Sequence, residues 1–219
     1  MMTNLFSVFD PSTGILSLNW VSTLIGLIII PMPLWILPSR LFIMNLIIFQ
    51  KINNELKILM TMNSKGNSLI FVSMFFFILY NNIMGLLPYI FTSSSHLVFT
   101  LSLALPMWLM LMIFGWLMNT NKMFYHLIPV GTPSILMPFM VCIETISNMI
   151  RPGSLAVRLT ANMIAGHLLM TLLGNMSINS SFIMLIIIIQ LMLMIFETAV
   201  SIIQAYVFTI LSTLYSSEI

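Results

Sequence analysis

The sequence predicts an all-α membrane protein with about five membrane helices and a surface amphipathic helix. The last two helices are expected to be long, tilted and folded into a hairpin. Of the 219 residues, 60% are hydrophobic and only 5% charged, whereas soluble domains carry about 25% charged residues. Apolar runs recur at lengths that cross ~30 Å of hydrocarbon at ~1.5 Å per residue. Arg158 lies deep in such a run, and no charged residue follows it until Glu197. Arginine does not readily lose its proton. Its charge at the bilayer centre costs at least ~2.5–3.5 kcal/mol, so it points to an ion path or a buried pair.

The chain reads as a single integral membrane domain over residues 1–219. The first span is predicted over 15–37, disturbed at its end by Pro31, Pro33 and Pro38, with Arg40 as an interface anchor. Residues 40–65 carry Arg40, Lys51, Glu55, Lys57 and Lys65, with Leu41, Met44, Ile48, Ile52, Leu56 and Leu59 between them at helical spacing. That pattern predicts a helix lying on the membrane surface. From Gly66 to Asn121 the only ionisable side chain besides tyrosine is His96. Two spans are predicted there, over 69–89 and 96–118, joined by the turn TSSSH.

The remaining spans are predicted over 130–173 and 182–215, separated by the turn GNMSINSS. A continuous helix over the first of these would run ~66 Å, twice the hydrocarbon thickness. It must tilt, bend or split, and Pro152–Gly153 is the natural bend. At helical periodicity Glu144, Arg151, Arg158 and Asn162 fall within about 40° on one face, whereas His167 points elsewhere. Leu155 and Gly166 share the stripe, and Gly166 would admit a close helix. Gln190, Glu197 and Gln204 recur at heptad spacing on the last helix. Polar stripes on apolar membrane helices must face protein or water. Two acids, two arginines, a histidine and amides exceed what packing requires and predict a transport or relay role.

Several function classes have no support. The net charge of +2, without a basic patch, does not suggest nucleic acid. Cys142 is the single cysteine, which rules out an internal disulfide and a cysteine-based metal cluster. There is no Gly-rich phosphate loop. His96, His126 and His167 lack paired spacing for haem or zinc. No cofactor is expected. The opening MMTNLFSVFDPSTG lacks a basic signal-peptide region and the arginines of a transit peptide.

The segment LAVRLTANMIAGHLL (155–169) resembles the subunit a family of F-type ATP synthases in its mitochondrial form. NNIMGLLPY (81–89), IETISNMIRP (143–152) and FETAVSIIQAYVFTILSTLY (196–215) are similar too, so the resemblance covers nearly the whole chain. The opening MMTNLFSVFDPST resembles the arthropod version. The resemblance implies a proton-conducting stator subunit with two half-channels, partnered by a ring of c subunits, other membrane-sector subunits and the peripheral stalk. It implies that Arg158 faces the moving rotor carboxylate. It also implies that Asn162, His167, Glu197 and Gln204 lead protons from the intermembrane space, and that Glu144 and Glu218 belong to the matrix-side exit. Arg151 departs from the neutral residue of many relatives and is given no role. The implied location is the mitochondrial inner membrane, with the gene in the organelle. Such a subunit is not an enzyme on its own and binds no nucleotide.

The competing expectation is a proton-pumping membrane subunit of a respiratory oxidoreductase. Such a subunit would be expected to hold lysines within its spans, but here the lysines lie in loops. One point of geometry divides the readings of the residues. Counting from the turn sets Glu197 level with Arg158, whereas the resemblance sets Gln204 beside it.

Overall fold

The computed structural model describes residues 5–14, 16–31, 36–60, 66–128, 132–177 and 183–218. Seven α-helices occur among them: α1 (Ser22–Ile29), α2 (Arg40–Leu59), α3 (Asn67–Gly85), α4 (Leu97–Met118), α5 (Thr120–His126), α6 (Met137–Ser177) and α7 (Ile183–Glu218). Short 3₁₀ turns precede α1 and α4 at Leu18–Val21 and Ser93–Ser95, and another lies at Leu5–Phe9. No strand occurs among the described residues. Four helices, α3, α4, α6 and α7, are long and apolar enough to cross a membrane. The chain is an all-α, multi-pass membrane protein.

Of the first predicted span, 15–37, positions 15 and 32–35 lie outside the described residues; among the described ones an apolar helical stretch covers Leu18–Ile29. Ile30 is extended (φ −63°, ψ 118°), as expected where Pro31 crowds the preceding residue out of the α region. α3 stops at Gly85, four residues before the predicted end at 89. Pro88 and a left-handed Tyr89 (φ 70°) turn the chain there.

The C-terminal part of the apolar stripe on α2 packs against α3. Leu56 is buried, and Phe49, Ile52 and Leu59 pack with it against the buried Phe71 and Val72 of α3. Leu41, Met44 and Ile48, the earlier part of the same stripe, are exposed. Ser39 caps this helix, its hydroxyl accepting from the Phe42 amide at 3.3 Å. Tyr206 of α7 donates to Glu55 at 3.3 Å.

Pro152 lies inside α6, which remains one helix of 41 residues. Its length is therefore accommodated without a split at Pro152–Gly153. The main core joins Phe75 and Ile78 of α3, Ala104 of α4, Leu155, Ala156 and Leu159 of α6, and Ala205 and Phe208 of α7. Small residues at Ala104, Ala156 and Ala205 let these helices approach closely. Exposed large apolar side chains line much of α4, α6 and α7, as expected of surfaces that meet lipid or other membrane subunits.

Candidate functional site at the α6–α7 crossing

The crossing of the two longest helices is marked by Gly166. A Cβ built there would stand 2.7 Å from Oε1 of Glu197 and 2.8 Å from its Cδ. Only a glycine leaves room for the carboxylate against α6 at this spacing. Glu197 is 9% exposed, and its Oε1 has no hydrogen-bond partner among the described residues. A buried acceptor left unpaired is costly, so its retention points to use rather than to packing.

His167 follows Gly166 on α6 and turns away from the Arg158 stripe. Its Nε2 is buried without a partner among the described residues. The Phe9 ring meets it edge-on at 6.2 Å between centroids. Both His167 and Glu197 line a cavity of about 830 Å³, together with Gln190, Asp10, Asn19 and Tyr89. A volume of that size accommodates many waters, each occupying about 30 Å³ in the liquid. Polar groups from both long helices, the end of α3 and the N-terminal segment thus share one space.

Arg158 stands on the other side of this arrangement. It lies exposed on α6 beside the exposed Val157 and Ala161. Gly166 is two turns further along, about 12 Å. Glu197, packed on Gly166, is therefore not level with Arg158, and simple counting from the turn is corrected. Towards the other end of the crossing, the Arg151 guanidinium lies over the Tyr215 ring at 4.9 Å. The antiparallel register running between those two contacts brings Arg158 level with residues 205–208, next to Gln204 and two turns or more from Glu197. Asn162, one turn beyond Arg158, and Gln204 are both half-buried. A pair of cysteines at 158 and 204 is expected to cross-link efficiently in membranes, and a pair at 158 and 197 poorly. The cross-linking yields measure this register directly, and preferential bridging of 158 with 197 would refute it.

Glu144 is remote from this cavity on α6. Its Oε1 accepts from Nη2 of Arg151 at 3.3 Å, two turns along the same helix. The same arginine covers Tyr215, so a residue without a predicted role joins Glu144 of α6 to the end of α7. A smaller cavity of about 200 Å³ adjoins them, lined by Trp108, Trp116, His126, Asn148, Arg151 and Tyr215 among others. The Glu218 side chain lies outside the described residues.

The sequence reading missed Asp10, Asn19 and Tyr89 as cavity-lining groups. Asp10 and Asn19 lie far from α6 in the chain and belong to no periodic pattern. Tyr89 carries a signal only in its three-dimensional backbone, where a left-handed tyrosine is a strained exception. Asn82, wholly buried in α3 with both amide atoms unpartnered among the described residues, was also not singled out.

Residues 15–217 match the family model described as ATP synthase A chain. The chain is 60% identical to ATP synthase subunit a of Aedes aegypti and 60% identical to that of Locusta migratoria. It is 59% identical to the subunit a of Drosophila melanogaster. In each case the match covers 100% of both proteins.

Proposed function

Because the chain belongs to the ATP synthase A chain family, we propose that it is the proton-conducting stator subunit of the F-type membrane sector in the mitochondrial inner membrane. It acts there as a component of the complex, against a ring of c subunits and beside the peripheral stalk. The observation that carries this reading is the shared cavity of His167 and Glu197, whose Nε2 and Oε1 atoms are buried and unpaired among the described residues.

The mechanism follows from where charge can reside. The described spans offer no carboxylate able to travel across the membrane, so the moving acid belongs to the rotor. Facing Arg158, that acid is stabilised in its ionised form, because an opposite charge nearby lowers its pKa. It releases its proton to one aqueous path. Moving on, it takes a proton from the other path and becomes neutral enough to face lipid. His167 and Glu197, with Asn162 and Gln204, form the path from the intermembrane space. Glu144, with Glu218, forms the matrix-side path. Arg158 separates them and blocks a direct leak. Each proton crossing the membrane releases ~2.3 kcal/mol per 100 mV, which drives rotation.

The test is proton flow through assembled complexes in vesicles. Glu197→Gln and His167→Ala are each expected to slow ATP-driven pumping by about tenfold or more, with normal assembly. Unchanged flux and unchanged pH dependence in both variants would remove this path. Co-isolation of the wild-type chain with a c ring, rather than with redox centres, is the accompanying expectation.

A further inference from the structure

The N-terminal segment is built into the wall of the cavity that holds His167 and Glu197. Ser7, Val8, Asp10, Ser12 and Asn19 all line it. The segment is pinned at both sides of Asp10. Nε2 of His96 hydrogen-bonds the Phe9 carbonyl oxygen at 2.9 Å, and the His96 ring stacks on Phe91 at 5.2 Å. The Asn19 amide donates to the Asp10 carbonyl oxygen at 3.3 Å. The Phe9 ring rests against His167 itself. Asp10 is thereby held at the exposed rim of the cavity, one residue from the group that touches its interior.

The side chain of Asp10 is oriented as well as placed. Its Oδ1 accepts from the Ser12 amide at 3.1 Å, closing a turn that Pro11 favours. Among the described residues, Asp10 and Glu197 are the two carboxyl groups lining the cavity, and no lysine or arginine lines it. The other titratable groups facing it are His167 of α6 and Tyr89 beyond α3, with His96 behind the segment at the start of α4. Two carboxylates without a balancing cation give the cavity a negative field when ionised. Such a field concentrates cations at a concave mouth and speeds their capture.

We propose that Asp10 is the proton-collecting residue of this access path, taking protons at the rim and passing them through cavity water towards His167 and Glu197. This rests on the reading of the cavity as a proton path. Each cycle balances: the Asp10 carboxylate accepts a proton from hydronium, then returns it to cavity water as His167 or Glu197 takes one up. The N-terminal segment is therefore part of the conducting machinery as well as a packing element.

The experiment uses the whole complex in vesicles, with ATP synthesis driven by an imposed gradient and the pH on the entry side varied from about 6 to about 8.5. Asp10→Asn removes the titrating group and keeps an oxygen for the Ser12 amide. Asp10→Ser is a second neutral variant able to form the same type of turn. Both are expected to slow synthesis by about threefold to tenfold at the alkaline end, where hydronium is scarce, with little effect at the acid end. Asp10→Glu is expected to restore the wild-type profile. A merely structural role predicts a uniform loss at all pH values that Asp10→Glu does not repair, and that result would overturn the proposal. Glu197→Gln serves as the reference. If it slows synthesis while both neutral Asp10 variants match wild type across the range, the proposal fails and the path stands. If all three variants match wild type, the path itself fails.

Discussion

Complexes carrying Arg158→Ala are expected to assemble and to lose coupled proton pumping down to background. The substitution removes an exposed side chain with no ion pair among the described residues, so little packing is lost with it. In the proposed mechanism, however, the rotor acid loses the charge that favours its ionisation. An opposite charge within ~4–6 Å lowers a carboxyl pKa by about 1–3 units, or roughly 1.4–4 kcal/mol. Without it the acid keeps its proton and carries it back the way it came. Passive leak is expected to rise, since nothing cationic then separates the two paths. Arg158→Lys is expected to retain little function, because lysine lacks the planar fork and deprotonates when desolvated. ATP-driven acidification and passive proton permeability of the same vesicles measure both effects. Normal pumping by assembled Arg158→Ala complexes would refute the role of this residue.

Gly166→Ala is expected to separate helix stability from conduction. Alanine favours an α-helix over glycine by about 1 kcal/mol, so α6 itself is not weakened. The new methyl group nevertheless occupies the place of the Glu197 carboxylate, whose Oε1 lies 2.7 Å from it. The carboxylate is the free end of its side chain and moves aside, so assembly is retained. Displacing a proton-transfer group by about 1 Å can cost about 100-fold. Proton flux is therefore expected to fall by about tenfold to 100-fold, with normal yield of the complex. Gly166→Val, with a branched side chain, is expected to reduce assembly as well, measured by the amount of chain recovered with its complex. Wild-type flux in assembled Gly166→Ala complexes would show that the carboxylate works equally well elsewhere.

The parts of this fold visible in the sequence were those written in local chemistry. The charge-free runs that became α3 and α4, and the two long runs that became α6 and α7, need no tertiary information. The isolation of Arg158 is equally local. Pro31 was flagged as a disturbance, although its effect on Ile30 ends the regular helix earlier than the apolar run suggested. Register was less accessible, because helices slide past one another and errors accumulate from the turn. Gly166 was noted as a site of close approach, but that Glu197 fills the space depends on how α6 and α7 cross. On α2 the stripe of Ile52, Leu56 and Leu59 was legible, but that it meets Phe71 and Val72 of α3 depends on the tertiary fold. Asp10 was hidden for another reason: its significance comes from the His96 and Asn19 contacts that hold its segment, both made across loops.

The unbroken length of α6 has a consequence for how proton movement becomes turning. Forty-one residues give a helix about 60 Å long, twice ~30 Å of hydrocarbon; a straight rod of that length held wholly within the layer would lean about 60° from the normal. The ends of such a rod would be offset sideways by about 50 Å, a distance reckoned from the same rise and thickness. Sites near opposite ends of such a rod differ in azimuth around a neighbouring cylinder as well as in depth. A carrier on that cylinder cannot visit both by moving up and down; it must travel around the circumference. In the proposed mechanism an oblique helix would thus work as a ramp, converting a difference across the membrane into an angular displacement within its plane.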